Sequence, residues 1–268
     1  MADYPNVTVS LLQDDVKKII FAVLSLAILL PGTARGQYKH TDGVREQVGQ
    51  TVPGDLIFSD EKGEKVSLKQ LADKPSLISL VYFSCGSACP LLLGNLAAAL
   101  GEMEIEPNDY RVITISFDDR DTPEIASEKK HNYLKAIGKP FPDTSWRFLT
   151  GDKKNIKELT DAVGFEFREE RGGFSHPKTL IFLSRDRKIA RYLYGRSFSA
   201  FDIKMAFRET AGRNGLNADS LALFCYYYDP EENRYVFNFL KASAAVLFLF
   251  ILSSLTVLLL ARRNRVNR

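Results

Sequence analysis

The sequence predicts an α/β domain with a mixed central sheet, followed by a transmembrane helix. Three observations carry this reading. Short apolar runs of strand length alternate with stretches of helical periodicity. The last two such runs are separated only by the polar segment 184–188, which is hairpin spacing. Residues 242–261 (ASAAVLFLFILSSLTVLLLA) carry no charge over a length that spans a bilayer.

Taken in order, the N-terminal apolar run 19–30 (IIFAVLSLAILL) follows Lys17 and Lys18 and is broken by Pro31 and Gly32. Its length suits a signal-peptide core, with small residues Ala34 and Gly36 for cleavage, so residues 1–36 read as a signal peptide or an N-terminal anchor. Residues 37–50 are polar and read as a linker. Residues 55–58 and 65–68 form a short hairpin around Lys62-Gly63. Residues 76–83 (SLISLVYF) are a buried strand, and 90–100 a helix. Residues 110–117 (YRVITISF) are a second buried strand, followed by a helix over 122–137 with Thr122 as N-cap and Pro123 at its first position. A short strand at 146–149, a helix at 153–163, the hairpin 179–183/189–194 and a helix at 200–210 complete the domain, placed at 51–213. A juxtamembrane segment (214–241) leads to the span. Arg262, Arg263, Arg265 and Arg268 follow it at once, which puts the tail 262–268 in the cytoplasm and the domain outside.

Composition narrows the function. Hydrophobic residues at 45% and charged residues at 26% exclude a disordered chain. With 36 basic and 33 acidic residues the charge is nearly balanced, and no clustered basic face points to nucleic acid. Three cysteines are too few for a disulfide-stapled scaffold.

Two of those cysteines lie together in Cys85-Gly-Ser-Ala-Cys89-Pro90, directly after the first buried strand and at the start of a helix. That placement, with the order of elements, makes the domain thioredoxin-like. The helix N-terminus presents unpaired N–H groups and a positive dipole end to the thiols, which is expected to lower their pKa. The spacing allows a disulfide and also lets both sulfurs face one ion. Of the three histidines, His40 lies in the linker and His131 in a polar helix. His176, in Gly172-Gly-Phe-Ser-His-Pro-Lys, precedes a strand that a thioredoxin-like sheet sets beside the cysteine turn. Two thiolates and an imidazole form a soft donor set that fits Cu(I), tolerates Cu(II) and is chemically open to zinc.

These residues resemble the Sco/SenC/PrrC copper proteins of cytochrome c oxidase assembly over about residues 49–211. The resemblance rests on Val81-Tyr-Phe-Ser-Cys-Gly-Ser-Ala-Cys-Pro90, on Ser116-Phe-Asp-Asp-Arg-Asp-Thr-Pro123, and on His176 ahead of an apolar strand and a hairpin ending Tyr192-Leu-Tyr-Gly195. It implies Cys85, Cys89 and His176 as copper ligands, with Cys85 and Cys89 also a redox pair, and Asp118 and Asp121 as an acidic pair near the site. It implies a metallochaperone loading the copper A site of the oxidase, with the copper A subunit, a periplasmic copper donor or thiol reductant, and the membrane as partners. The segment 223–230 with the C-terminal span resembles the tail of some bacterial members, which implies the cytoplasmic membrane of a bacterium. Three departures stand out: Asp119 replaces a usual proline, Gly86 follows the first cysteine, and Pro177 follows the histidine, where it alters the ligand's approach or makes the bond cis. From the residues alone, Asp118 and Asp121 order a turn, and Cys225 is a buried thiol or a further redox partner.

A chaperone need not be an enzyme. The rival readings are a thiol–disulfide oxidoreductase, which has no need of His176, and a redox or copper sensor sharing the same site. A peroxiredoxin-type peroxidase is disfavoured, because the residue three before Cys85 is Tyr82 and three before Cys89 is Gly86, where a threonine is expected.

Overall fold

A computed structural model describes residues 43–86, 88–211 and 223–266. The N-terminal apolar run and His40 lie outside the described residues. A five-stranded sheet forms the centre, in the order β5 (Trp146–Leu149), β4 (Arg111–Ser116), β3 (Ser76–Val81), β8 (Thr179–Leu183), β9 (Ile189–Tyr194). β3, β4 and β5 run parallel, whereas β8 is antiparallel to both β3 and β9. The sheet is therefore mixed, as the alternation of elements and the final hairpin predict.

The apolar runs lack polar alternation because both sheet faces are covered. Successive side chains point to opposite faces, and the core divides accordingly. Leu77, Val81, Val112, Phe148, Leu180 and Phe182 face one side, with side chains from α2 (Ala88–Glu102), α3 (Pro123–Ala136) and α5 (Ala200–Ala211). Ile78, Leu80, Ile113, Ile115 and Ile181 face the other, with Phe58 of the hairpin β1 (Ile57–Ser59)/β2 (Lys65–Ser67), Leu68 and Leu71 of α1 (Leu68–Leu71), and Ile156 and Leu159 of α4 (Lys153–Ala162).

Residues 43–50, the end of the segment read as a linker, are fastened to this second layer. Val44 is buried, the Arg45 N–H donates to the Gly164 carbonyl at 2.8 Å, and the Gln47 N–H donates to the Tyr192 hydroxyl at 3.1 Å. Backbone bonding adds to the burial of Val44, and since the rest of the segment is half-buried or exposed, composition alone hides the attachment.

Two small hairpins were not visible in the sequence pattern. β6 (Arg168–Glu170) pairs with β7 (Gly173–Ser175) just ahead of His176, and β10 (Tyr226–Asp229) pairs with β11 (Arg234–Phe237) just ahead of the last helix. That helix, α6 (Phe239–Val266), contains an apolar stretch, Phe239–Leu260, long enough to cross a membrane and exposed along its length. It begins three residues earlier than the uncharged run and so takes in Lys241.

Candidate metal centre

Topology brings the candidate ligands together. β3 ends and β8 begins at the same end of the sheet, because the two strands are antiparallel neighbours. The loop after β3 carries Cys85, and the loop before β8 carries His176. Helix α2 starts at Ala88, two residues before the expected Pro90, so Cys89 lies in its first turn, where Pro90 removes no needed N–H.

Cys85 and Cys89 are 6% and 3% exposed, and both are thiols rather than halves of a disulfide. Cys89 Sγ lies 3.4 Å from His176 Nε2. The Cys89 N–H donates to Cys85 Sγ at 3.4 Å, and the Tyr82 side chain is hydrogen-bonded to the Cys85 thiol. His176 Nδ1 lies 2.9 Å from the Pro177 carbonyl oxygen. That oxygen can only accept, so Nδ1 carries the proton and the Nε2 lone pair is left facing Cys89. Among the described residues no three His, Cys, Asp or Glu side chains are grouped as a finished metal cage. Two donors are in contact, and the third is turned toward a backbone N–H and a phenol.

Burial reverses the expected thiol chemistry. The sequence places Cys89 at a helix N-terminus, where a lowered pKa is expected. Instead, desolvation pushes the Cys89 thiol up to about 12, offset only in part by the Tyr82 backbone and Lys178. Desolvation is also the largest cause holding His176 below its usual value, so the imidazole is neutral near pH 7. Alkylation of Cys89 by iodoacetamide is accordingly expected to be slow at pH 7 and to climb about tenfold per pH unit toward its alkaline pKa, because the thiolate is the nucleophile. Site-resolved mass spectrometry across a pH series checks this; fast labelling that is flat above pH 6 contradicts it.

The histidine sits in an aromatic wall. Its ring lies 5.0 Å from Phe117, 5.9 Å from Tyr82 and 6.1 Å from Phe165, centroid to centroid. Phe174 of β7 closes on Tyr82 at 5.1 Å and on Phe117 at 5.4 Å. Gly173 permits this approach, since a Cβ there would lie 2.6 Å from the Tyr82 hydroxyl oxygen. Pro177 packs beside Gly43, and the His176–Pro177 bond is trans, as is every peptide bond among the described residues.

The acidic segment meets the site from below. Asp121 is buried, and its Oδ2 accepts from the Phe83 N–H and from the Ser116 hydroxyl, both at 2.6 Å. It thereby ties the cysteine-bearing loop to the end of β4. Asp118 accepts from Arg120 Nε at 2.7 Å, and Arg120 also reaches Glu169 at 3.1 Å and lies over the Phe174 ring at 5.4 Å. The two aspartates thus order the loops on either side of the centre, Asp121 the cysteine loop directly and Asp118 the β6–β7 hairpin through Arg120. Sequence reasoning missed Arg120, whose only signal is its place between Asp118 and Asp121. His131 is exposed on α3, as expected of a surface histidine. Cys225 is half-buried rather than buried and directly precedes β10, where its carbonyl accepts from the Asn238 N–H at 2.7 Å.

A family model described as SCO1/SenC matches residues 44–209. A solved protein from Aquifex aeolicus VF5, of proposed electron-transfer role, is 29% identical with a TM-score of 0.57, covering 62% of this chain and 95% of its own. BsSco, described as a member of the Sco family of cytochrome c oxidase assembly proteins with a disulfide switch, is 20% identical with a TM-score of 0.52, covering 65% and 100%. ScoI from Bradyrhizobium japonicum, solved with copper bound, is 26% identical with a TM-score of 0.46, covering 57% and 98%. No curated protein matches.

Proposed function

Because the chain belongs to the SCO1/SenC family, we propose that it is a membrane-anchored copper carrier that takes copper as cargo at Cys85, Cys89 and His176. In this reading it delivers the metal to the copper A subunit of cytochrome c oxidase, outside the cytoplasmic membrane.

One observation carries the reading: the 3.4 Å approach of Cys89 Sγ to the Nε2 lone pair of His176, across 87 residues of sequence. A dithiol exchange site needs no imidazole there. Two thiolates and an imidazole match the preference of Cu(I) for soft donors in low coordination, whereas zinc would need a further ligand from water. The Pro177 carbonyl fixes the tautomer of His176, as outer partners of metal-binding histidines do. Cys89 is protonated near neutral pH, so loading must displace its proton and tightens as pH rises. Turning Cys85 Sγ from the Cys89 N–H toward the other two donors completes the set.

The ligand thiols also form a redox pair. Oxidation of Cys85 and Cys89 to a disulfide releases two electrons and two protons to an external oxidant and removes both sulfur ligands, so a thiol reductant must act before loading. The nearness of the two cysteines also favours a second reading, thiol–disulfide exchange with a partner protein. That reading gives no role to the imidazole of His176 beside Cys89, which ranks it second.

The test is an anaerobic Cu(I) titration of the full chain in detergent against a competing chelator. The expected result is a single tight Cu(I) per reduced chain and none after Cys85 and Cys89 are oxidised. Equal affinity in both redox states would overturn the assignment.

A further inference from the structure

We propose that the domain lies directly against the membrane that α6 spans, with an aromatic strip through Phe201, Tyr226, Phe237 and Phe239 seated at the lipid headgroup boundary. The proposal rests on the reading of α6 as a membrane span.

The strip is continuous. Phe201 on α5 meets Tyr226 on β10 at 4.9 Å, Tyr226 meets Phe237 on β11 at 5.3 Å, and Phe237 meets Phe239, the first residue of α6, at 4.8 Å. Three of its four residues are exposed, Phe201 by 39%, Phe237 by 37% and Phe239 by 77%. Such a contiguous apolar patch marks an interaction surface. Tyr226 is the kind of amphipathic ring that gathers at membrane interfaces, and the three phenylalanines add apolar surface around it.

What identifies lipid as the occupant is the junction with α6. A single residue, Asn238, separates β11 from the helix. Its N–H donates to the Cys225 carbonyl at 2.7 Å, its side-chain oxygen accepts from the Lys241 N–H at 3.0 Å, and its carbonyl accepts from the Ala242 N–H at 3.0 Å. The helix leaves the hairpin without slack, so a bilayer surrounding α6 meets the hairpin at its surface. Lys241 falls at that level, where a long cationic side chain can reach the headgroups.

The hairpin is in turn fixed to the domain. The Tyr235 N–H donates to Asp202 at 2.7 Å and its hydroxyl to Glu209 at 2.6 Å. The Tyr194 N–H donates to the Asn233 side chain at 2.9 Å, and Arg191, paired with Glu209, lies 4.6 Å over the Tyr228 ring. Whatever holds the hairpin therefore holds α5 and β9 as well.

The test uses the full chain in vesicles of phosphatidylethanolamine and phosphatidylglycerol, with doxyl-labelled lipid as quencher. Native Trp146 is fully buried and gives the same background throughout. Shallow doxyl lipid is expected to abolish the emission added by Phe201→Trp and to leave that of Lys62→Trp, in the exposed β1–β2 turn, unchanged. Leu247→Trp, within the span, is expected to be lost to deep doxyl lipid. If Leu247→Trp is quenched but Phe201→Trp is reached by aqueous iodide, the docking proposal fails alone. It also fails alone if Phe201→Trp is shielded from both quenchers, since protein then covers the strip. If Leu247→Trp escapes deep lipid quencher, the span fails and the proposal with it. Phe237→Trp supplies a second probe of the strip should Phe201→Trp not fold.

Discussion

The His176→Ala variant is expected to lose more than about a hundredfold in Cu(I) affinity, exceeding the 10–100-fold that loss of an outer-shell partner costs. The substitution removes the Nε2 lone pair that faces Cys89 and leaves two sulfurs as the donor set. It also opens space among Phe117, Tyr82 and Phe165, so thermal stability must be followed in parallel. His131→Ala, on the exposed side of α3, serves as the control and should bind as the parent chain does. Competition titration of the three proteins under reducing, anaerobic conditions decides the matter. A folded His176→Ala chain with parental affinity would remove the histidine from the ligand set and move the reading to thiol–disulfide exchange.

The Asp121→Ala variant should lose about 3 kcal/mol of stability, the combined effect of two hydrogen bonds to a buried carboxylate and a stranded N–H at Phe83. Because Phe83 lies two residues before Cys85, the same change should loosen the cysteine loop and weaken Cu(I) binding in the fraction that remains folded. Asp121→Asn keeps an acceptor oxygen and should recover part of both losses. Urea unfolding gives the stability, and titration of the folded protein gives the affinity. If stability falls while affinity per folded chain stays unchanged, Asp121 is a fold residue without influence on the site.

Strands β3, β4 and β8 were legible because burial on both faces leaves each as a largely apolar run bounded by turn residues, as in 76–83 and 179–183. The Cys85–Cys89 pair was legible from its place after a buried strand, and His176 from its place before one. What remained hidden depends on contacts distant in sequence. β6 and β7 carry the sequences Arg-Glu-Glu and Gly-Phe-Ser, which show no apolar alternation; Arg120 and the Phe174 contacts hold them. The segment 43–50 is polar in composition and bonds through its backbone. The Cys89 pKa was misjudged for the same reason, since a helix start can be read locally, whereas the desolvation that outweighs it comes from residues brought in by the fold.

The antiparallel pairing of β3 with β8 also fixes when the centre can exist. Cys89 and His176 are 87 positions apart, and their contact requires β8 to dock on β3. Such long-range closure is late and slow in folding. A chain whose sheet is incomplete therefore offers only the local thiol pair, without the imidazole of His176. On the copper-carrier reading, selective loading therefore waits for completion of the sheet, and the fold itself times metal acquisition.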